Sequence, residues 1–188
     1  MDTFVVIVGI LWIAFWIYWL VSSIGTKRTL RRGSWFRGLG LRLLLTFLII
    51  YFVHSRGLDW LASYQFLAVN AITGSVSVLI CALGLGFAFW ARINIGRNWG
   101  SPMSVKENPD LVTSGPYAYV RHPIYSGVLL AMLGSSIIFG AWWIVLSIIS
   151  GIYFVYSAIV EEKLLIQQFP DQYPEYRART KMLIPFIW

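Results

Sequence analysis

Charged positions are sparse along this chain, and the uncharged runs between them set the pattern. Residues 4–26 hold no charged side chain. As a helix at about 1.5 Å per residue, that run rises roughly 35 Å and can cross a hydrocarbon core. Asp2 precedes it in place of a basic leader, and Trp12, Trp16, Tyr18 and Trp19 crowd it, so a retained span is expected rather than a cleaved signal peptide. The uncharged run 43–53 is shorter. A second span there must borrow residues 38–42, with Arg42 reaching toward the headgroups. Residues 60–91 lack charge over 32 positions and predict a third helix after a short lead-in. Residues 123–160 lack charge over 38, too many for one helix and right for two, with Phe139-Gly140-Ala141 as the hairpin tip. The expectation is an all-α integral membrane protein of about five transmembrane helices, forming a single membrane domain over residues 1–188. Residues 1–93 would hold the first three spans, and residues 94–188 the remaining loop, the last two spans and a tail.

Composition agrees and excludes other classes. With 58% hydrophobic and 12% charged residues, the chain has too little polar surface for an ordinary soluble domain. The net charge of +7 would raise nucleic acid as a partner, but the placement of the cations answers otherwise. Fourteen of the 15 Lys and Arg fall in three segments, 25–42, 92–121 and the tail after residue 160, and only Arg56 lies elsewhere. The positive-inside rule then puts those segments in the cytoplasm, the N-terminus outside and the C-terminus cytoplasmic. The basic charge reads as topology and attraction to anionic headgroups, with no nucleic acid. Ten Trp read as interface belts and core packing. Cys81 stands alone in an apolar run and there are only two His, so neither a disulfide framework nor a metal site is expected.

Chemistry concentrates on the basic side. In Gly115-Pro116-Tyr117-Ala118-Tyr119-Val120-Arg121-His122-Pro123-Ile124-Tyr125-Ser126-Gly127, Pro123 suits a first helical turn and disfavours helix at His122. Arg121 and His122 therefore stand at a helix N-terminus, which attracts an anionic group such as a carboxylate or phosphate. The alternative is that they only anchor the helix at the headgroups. Glu161 and Glu162 follow the last uncharged run, at a helix C-terminus whose dipole opposes them, and so require a compensating partner. That partner is either a cationic or hydroxyl-bearing ligand or Arg121 in a salt bridge. Neighbours on a helix point about 100° apart, so one carboxylate at most faces a pocket squarely. Glu162 is expected to be the inward one, because Leu165, Ile166 and Phe169 follow it at helical spacing. Leu164-Leu165-Ile166 with Phe169, Tyr173 and Tyr176 predicts an amphipathic helix lying on the membrane and covering the pocket.

The ordered set Gly96-Arg97-Asn98-Trp99, Arg121-His122-Pro123-Ile124-Tyr125-Ser126-Gly127, Glu161-Glu162, Phe169, Tyr173, Tyr176 and Pro185 resembles the isoprenylcysteine carboxyl methyltransferase family and its bacterial and archaeal relatives. Phospholipid methyltransferases share the Arg-His-Pro and paired-Glu elements. The resemblance covers residues 94–188, and the first two spans match no motif. It implies a membrane enzyme using S-adenosyl-L-methionine, held by the last two spans, the preceding loop and the tail. By the same resemblance Arg121, His122 and Tyr125 would line the cofactor site, and one of Glu161 or Glu162 would bind its polar end. Leu111 and Val112 would contact its adenine, and Tyr117 would close the pocket. Arg179, with Arg97 and Asn98, would take the acceptor's carboxylate. The implied acceptor is lipid-like or lipid-anchored and arrives from the bilayer, with the active site at the cytoplasmic face.

Methyl transfer is an in-line displacement that needs alignment and exclusion of water more than a covalent intermediate. An ionised carboxylate acceptor needs no base, whereas a phospholipid amine would ask Glu161 or Glu162 to take a proton. Two other readings stand beside this one. One is an NADPH-dependent reductase like the sterol reductases, which carry Asn where this chain has Ile124. The other is a membrane binding protein that keeps the scaffold without activity.

Overall fold

The structure is a computed structural model that describes residues 3–31, 64–100, 104–185 and 187. Among the described residues there are five helices. Helix α1 spans Thr3–Ser22, α2 Ala71–Ile95, α3 Pro123–Phe139, α4 Ala141–Gln168 and α5 Gln172–Arg179. Helices α1 and α4, and α2 with the 3-10 turn that prolongs it, are long and apolar enough to cross a membrane. The 17 residues of α3 rise about 25 Å, at the short end of the spanning range. The chain is an integral membrane protein. Its expected second span, residues 38–53, lies outside the described residues.

Local chemistry explains where the helices begin and end. The third uncharged run starts at residue 60, yet α2 starts only at Ala71, because Asn70 builds a capping box. Its side chain accepts from the amides of Ile72 and Thr73, while its own amide donates to Thr73 Oγ1. The seven described residues ahead of Ala71 do other work: the Tyr64 carbonyl accepts from the amide of Ala141, and Gln65 Nε2 donates to the Ile138 carbonyl. They brace the α3–α4 hairpin, whose tip is Gly140 as expected. Gly140 takes φ +78, a left-handed conformation that only glycine adopts freely. Helix α4 then runs unbroken to Gln168. Leu164–Ile166 are thus its last turns and do not open a separate surface helix. Pro170, which disfavours helical geometry at Phe169, makes the break.

Lipid supplies no hydrophobic drive between helices, so close packing of small residues must hold them. Between α2 and α3 the backbones touch. A Cβ added to Gly84 would strike the backbone of Gly127 and Ala131, and one added to Gly127 or Gly134 would strike the facing turns of α2. Ser77 Oγ, fully buried, donates to the Gly134 carbonyl at 2.8 Å. Helix α1 lays Val8 and Phe15 onto this pair, and Trp12 Nε1 donates to Ser135 Oγ of α3 at 3.0 Å. Gly74 of α2 abuts Phe4 of α1, and Arg92 of α2 donates to the carbonyl of Ser22 at the far end of α1. Helices α1 and α2 therefore run parallel, with α3 antiparallel to both and α4 parallel again. First, third, fourth and fifth members of an alternating five-span series have that arrangement.

One end of the bundle gathers the segment after α1 and the loop between α2 and α3. Residues Thr29–Arg31 pair antiparallel with Val105–Lys106 as strands β1 and β2. Lys27 Nζ donates to the Asp110 carboxylate and the Asn108 carbonyl, both at 2.6 Å. A 3-10 turn at Gly115–Ala118 then leads into α3.

Candidate active site

Pro123 is the first residue of α3, and His122 caps it with φ −125 and ψ 59, outside the helical region. The tail crosses this entrance as an extended strap. The amides of Arg121 and His122 donate to the carbonyls of Lys181 and Met182 at 2.8 and 3.1 Å, and Ser126 Oγ donates to the Leu183 carbonyl at 2.5 Å. Two amides expected to face an anion are therefore taken by the tail. Tyr173 and Tyr176 of α5 are buried, and Tyr176 donates its hydroxyl to the Tyr117 carbonyl at 2.7 Å. Both line the cavity described below.

The two glutamates have different partners. Glu162 is buried, yet it faces Arg121, whose Nε donates to Oε1 at 2.7 Å with both side chains under one-tenth exposed. Arg177 Nε lies 3.4 Å from its other oxygen and His122 Nε2 3.5 Å from the first. Arg121 Nη1 continues to the Thr180 carbonyl at 2.5 Å. Glu161, turned about 100° on the helix, accepts the Tyr125 hydroxyl at 2.6 Å and lies 3.6 Å from His122 Nδ1. The rings of His122, Tyr125 and Phe154 stack nearly parallel, with centroids 5.6 and 4.6 Å apart. Burial pushes the His122 imidazole toward its neutral form, but hydrogen bonds and charge from Glu161 and Glu162 outweigh it and raise its pKa above the ordinary value. Burial first, then Tyr176 and Glu161, raise that of Tyr117.

A cavity of about 600 Å³ opens beside this cluster. Leu111, Val112, Tyr117, Arg121, His122, Tyr125 and Glu161 line it, and so does Asn98, which accepts from the Asp110 amide at 3.1 Å. Glu162 lies behind the wall, holding the residues that form it. Arg97 and Arg179 are not at the cavity. Arg97 is exposed and donates to the Gly25 carbonyl, and Arg179 pairs with Glu175 in the same exposed helix.

Two walls escaped sequence reasoning. Phe15, Trp16, Trp19 and Leu20 bring α1 to the cavity, and Tyr153 and Phe154 bring the middle of α4. A spacing signal for the second was available: Phe154, Glu161, Leu164, Leu165 and Gln168 stand at −7, 0, +3, +4 and +7 on one helical face. That stripe is centred on Glu161 rather than Glu162. For α1 no comparable signal exists, since it is apolar all round.

Residues 59–172 match the family model described as phospholipid methyltransferase, and this match covers more than half of the chain. The chain belongs to the phospholipid methyltransferase family. Among individual relatives, it is 34% identical over 101 residues to protein-S-isoprenylcysteine O-methyltransferase of Schizosaccharomyces pombe, covering 52% of this chain and 43% of that protein. It is 33% identical over 114 residues to the cobalt-zinc-cadmium resistance protein CzcN of Cupriavidus metallidurans, covering 58% and 51%. With methanethiol S-methyltransferase 1 of Bradyrhizobium diazoefficiens it shares 36% identity over 70 residues, 37% of this chain and 24% of that one. The chain thus matches about half or less of the length of these relatives. The family match takes in α2, α3, α4 and the loop between α2 and α3, which hold most of the cavity; α1 and the strap lie outside it.

Proposed function

We propose that the chain is a membrane methyltransferase that takes S-adenosyl-L-methionine at the polar end of the cavity. Its acceptor is a carboxylate or thiolate carried on an apolar, lipid-like body, which occupies the aromatic end. The observation that carries this reading is the mixed lining of one cavity, which brings together the charged cluster of Arg121, His122 and Glu161 and the aromatic side chains Phe15, Trp16 and Trp19 of α1. Membership in the family supports it.

The donor set fits the cofactor. Glu161 offers a carboxylate oxygen to an ammonium. Tyr125 and Phe154, which both line the cavity, offer aromatic surface to a sulfonium cation. Leu111, Val112 and Tyr117 offer an apolar slot to a purine, and Asn98 and Asp110 offer acceptors to hydroxyls. When bound, S-adenosyl-L-methionine supplies an electrophilic methyl group on sulfur. The chain's own part is alignment and dryness. The Glu161–Tyr125 hydrogen bond fixes the ring that faces the cavity, and the strap with Tyr173 and Tyr176 keeps water from that side. An acceptor already ionised needs no base, and no side chain of the aromatic end is one.

The site is assigned to the cytoplasmic face, on the ground that the described basic residues gather at its end of the bundle. Helices α1 and α4 meet through Trp12 and Trp143 and both line the cavity further along, so an acceptor can slide in between them from the bilayer.

Calorimetric titration of the purified protein with S-adenosylhomocysteine tests the reading. Binding is expected, and Glu161→Gln should weaken it by about 10- to 100-fold, the equivalent of one lost charged hydrogen bond. No binding by the wild-type protein, or unchanged binding in Glu161→Gln with the fold intact, would overturn the assignment.

A further inference from the structure

A second pocket of about 290 Å³ lies at the joined C-terminal ends of α1 and α2. Tyr18, Ser22, Thr26, Arg92, Ile93 and Arg97 line it. Arg92 is only 4% exposed. Its two terminal nitrogens donate to the carbonyls of Ser22 and Gly96, and its guanidinium covers the Trp99 ring at 4.8 Å. Its Nε, also buried, has no hydrogen-bond partner among the described residues. No described carboxylate lies within ion-pair distance of either Arg92 or Arg97.

The charge balance is uneven. Each helix C-terminus acts as roughly half a negative charge, so the two ends together offset about one of the two guanidinium groups. About one positive charge is left over in a site where one cation is almost fully buried, and a buried charge of that kind calls for a counter-ion. The pocket also sits at the level where the apolar parts of α1 and α2 end. Ile24 and Ile93 flank it at 81% and 66% exposure, offering an apolar track beside the charges.

We propose that this pocket binds a phosphate anion, presented as the headgroup of an anionic phospholipid or as free phosphate. The exposed Ile24 and Ile93 favour the lipid, whose chains would run along them while its phosphate meets Arg92 and Arg97. The site is distinct from the large cavity and shares no lining residue with it, although Arg92 covers the Trp99 ring that lines that cavity.

Native mass spectrometry of the purified full chain tests this, with phosphatidylglycerol, phosphatidylcholine and inorganic phosphate as probes. Arg92→Ala frees two helix ends and can fail to fold, so exposed Arg97 is the informative position. Phosphatidylglycerol should be retained over phosphatidylcholine, about fivefold more weakly by Arg97→Gln and about 25-fold more weakly by Arg97→Glu, one step of surface-charge attraction for each unit of charge. Displacement of the lipid by millimolar phosphate would support the site with a soluble source. Arg97-dependent retention that phosphate does not disturb supports the site with a lipid source. Wild-type retention in Arg97→Glu, or an equal loss in Lys163→Glu on the same face of the protein, would overturn the proposal. The readout does not involve methyl transfer, so it stands or falls apart from the reading of the large cavity.

Discussion

The Arg121–Glu162 pair offers the sharpest test of how the site is held together. Glu162→Leu leaves the Arg121 guanidinium, 8% exposed, without its carboxylate. Arg121→Met leaves Glu162 with only the longer contacts to His122 and Arg177, and also strips the Thr180 carbonyl of its donor. Removing one member of a buried ion pair costs about 3–5 kcal/mol, so each single variant should lose that much stability. The double variant removes both charges together. What remains is the orphaned Thr180 carbonyl, about 1–3 kcal/mol, so the two substitutions should be coupled by at least about 3 kcal/mol. Equilibrium unfolding in mixed micelles measures all four proteins. Limited proteolysis reports independently, since the singles should expose the chain around 170–183 to cleavage and the double should restore part of the protection. Additivity within about 0.5 kcal/mol would refute the argument and reduce the pair to two unrelated polar contacts.

Two further outcomes are expected. Because the folded state raises the pKa of His122, its protonation adds stability that is fully present below 6.5, the ordinary histidine value, and is lost as pH rises through the folded-state value. The Tm difference between wild type and His122→Gln should therefore shrink with rising pH, and a pH-independent difference would mean that the imidazole is neutral throughout. Gly84→Ala drives a methyl group into the Gly127 and Ala131 backbone, which has no side chain to move aside, and should cost about 1–3 kcal/mol in the same unfolding assay. Wild-type stability there would show that α2 and α3 pack less closely than described.

Where charge is absent or proline forces a choice, the chain was easy to read. The helix start at Pro123, with His122 just ahead of it, and the hairpin at Gly140 follow from such constraints, whereas Leu111, Val112, Tyr117 and Tyr125 were placed by resemblance and line one cavity. Errors came where several faces were equally apolar. Glu161 and Glu162 both follow an uncharged run, and their difference depends on Arg121, which lies 41 residues from Glu162. The aromatic wall of α1 was invisible for the same reason: in lipid, every face of a helix is apolar, so polarity cannot mark which one meets protein. Arg97 and Arg179 were placed by resemblance alone, and each finds its partners outside the cavity. The Asn70 cap fixed where the lead-in ends and α2 begins, which the uncharged run from residue 60 left open.

The bond from Arg92 to Ser22 also sets a timetable for biogenesis. Its two residues are 70 positions apart, and at about 5–20 residues per second a ribosome needs roughly 4–14 s to go from one to the other. Through that interval α1 is already in the bilayer while the helix that will shelter Val8 and Phe15 has yet to be made. A span with a polar stripe reserved for its later partner would have to wait with that stripe against lipid. Helix α1 carries no charge over its whole length and is the most apolar of the three long helices among the described residues. Its plainness suits a segment that must be a stable transmembrane anchor first and a wall of the cavity only later.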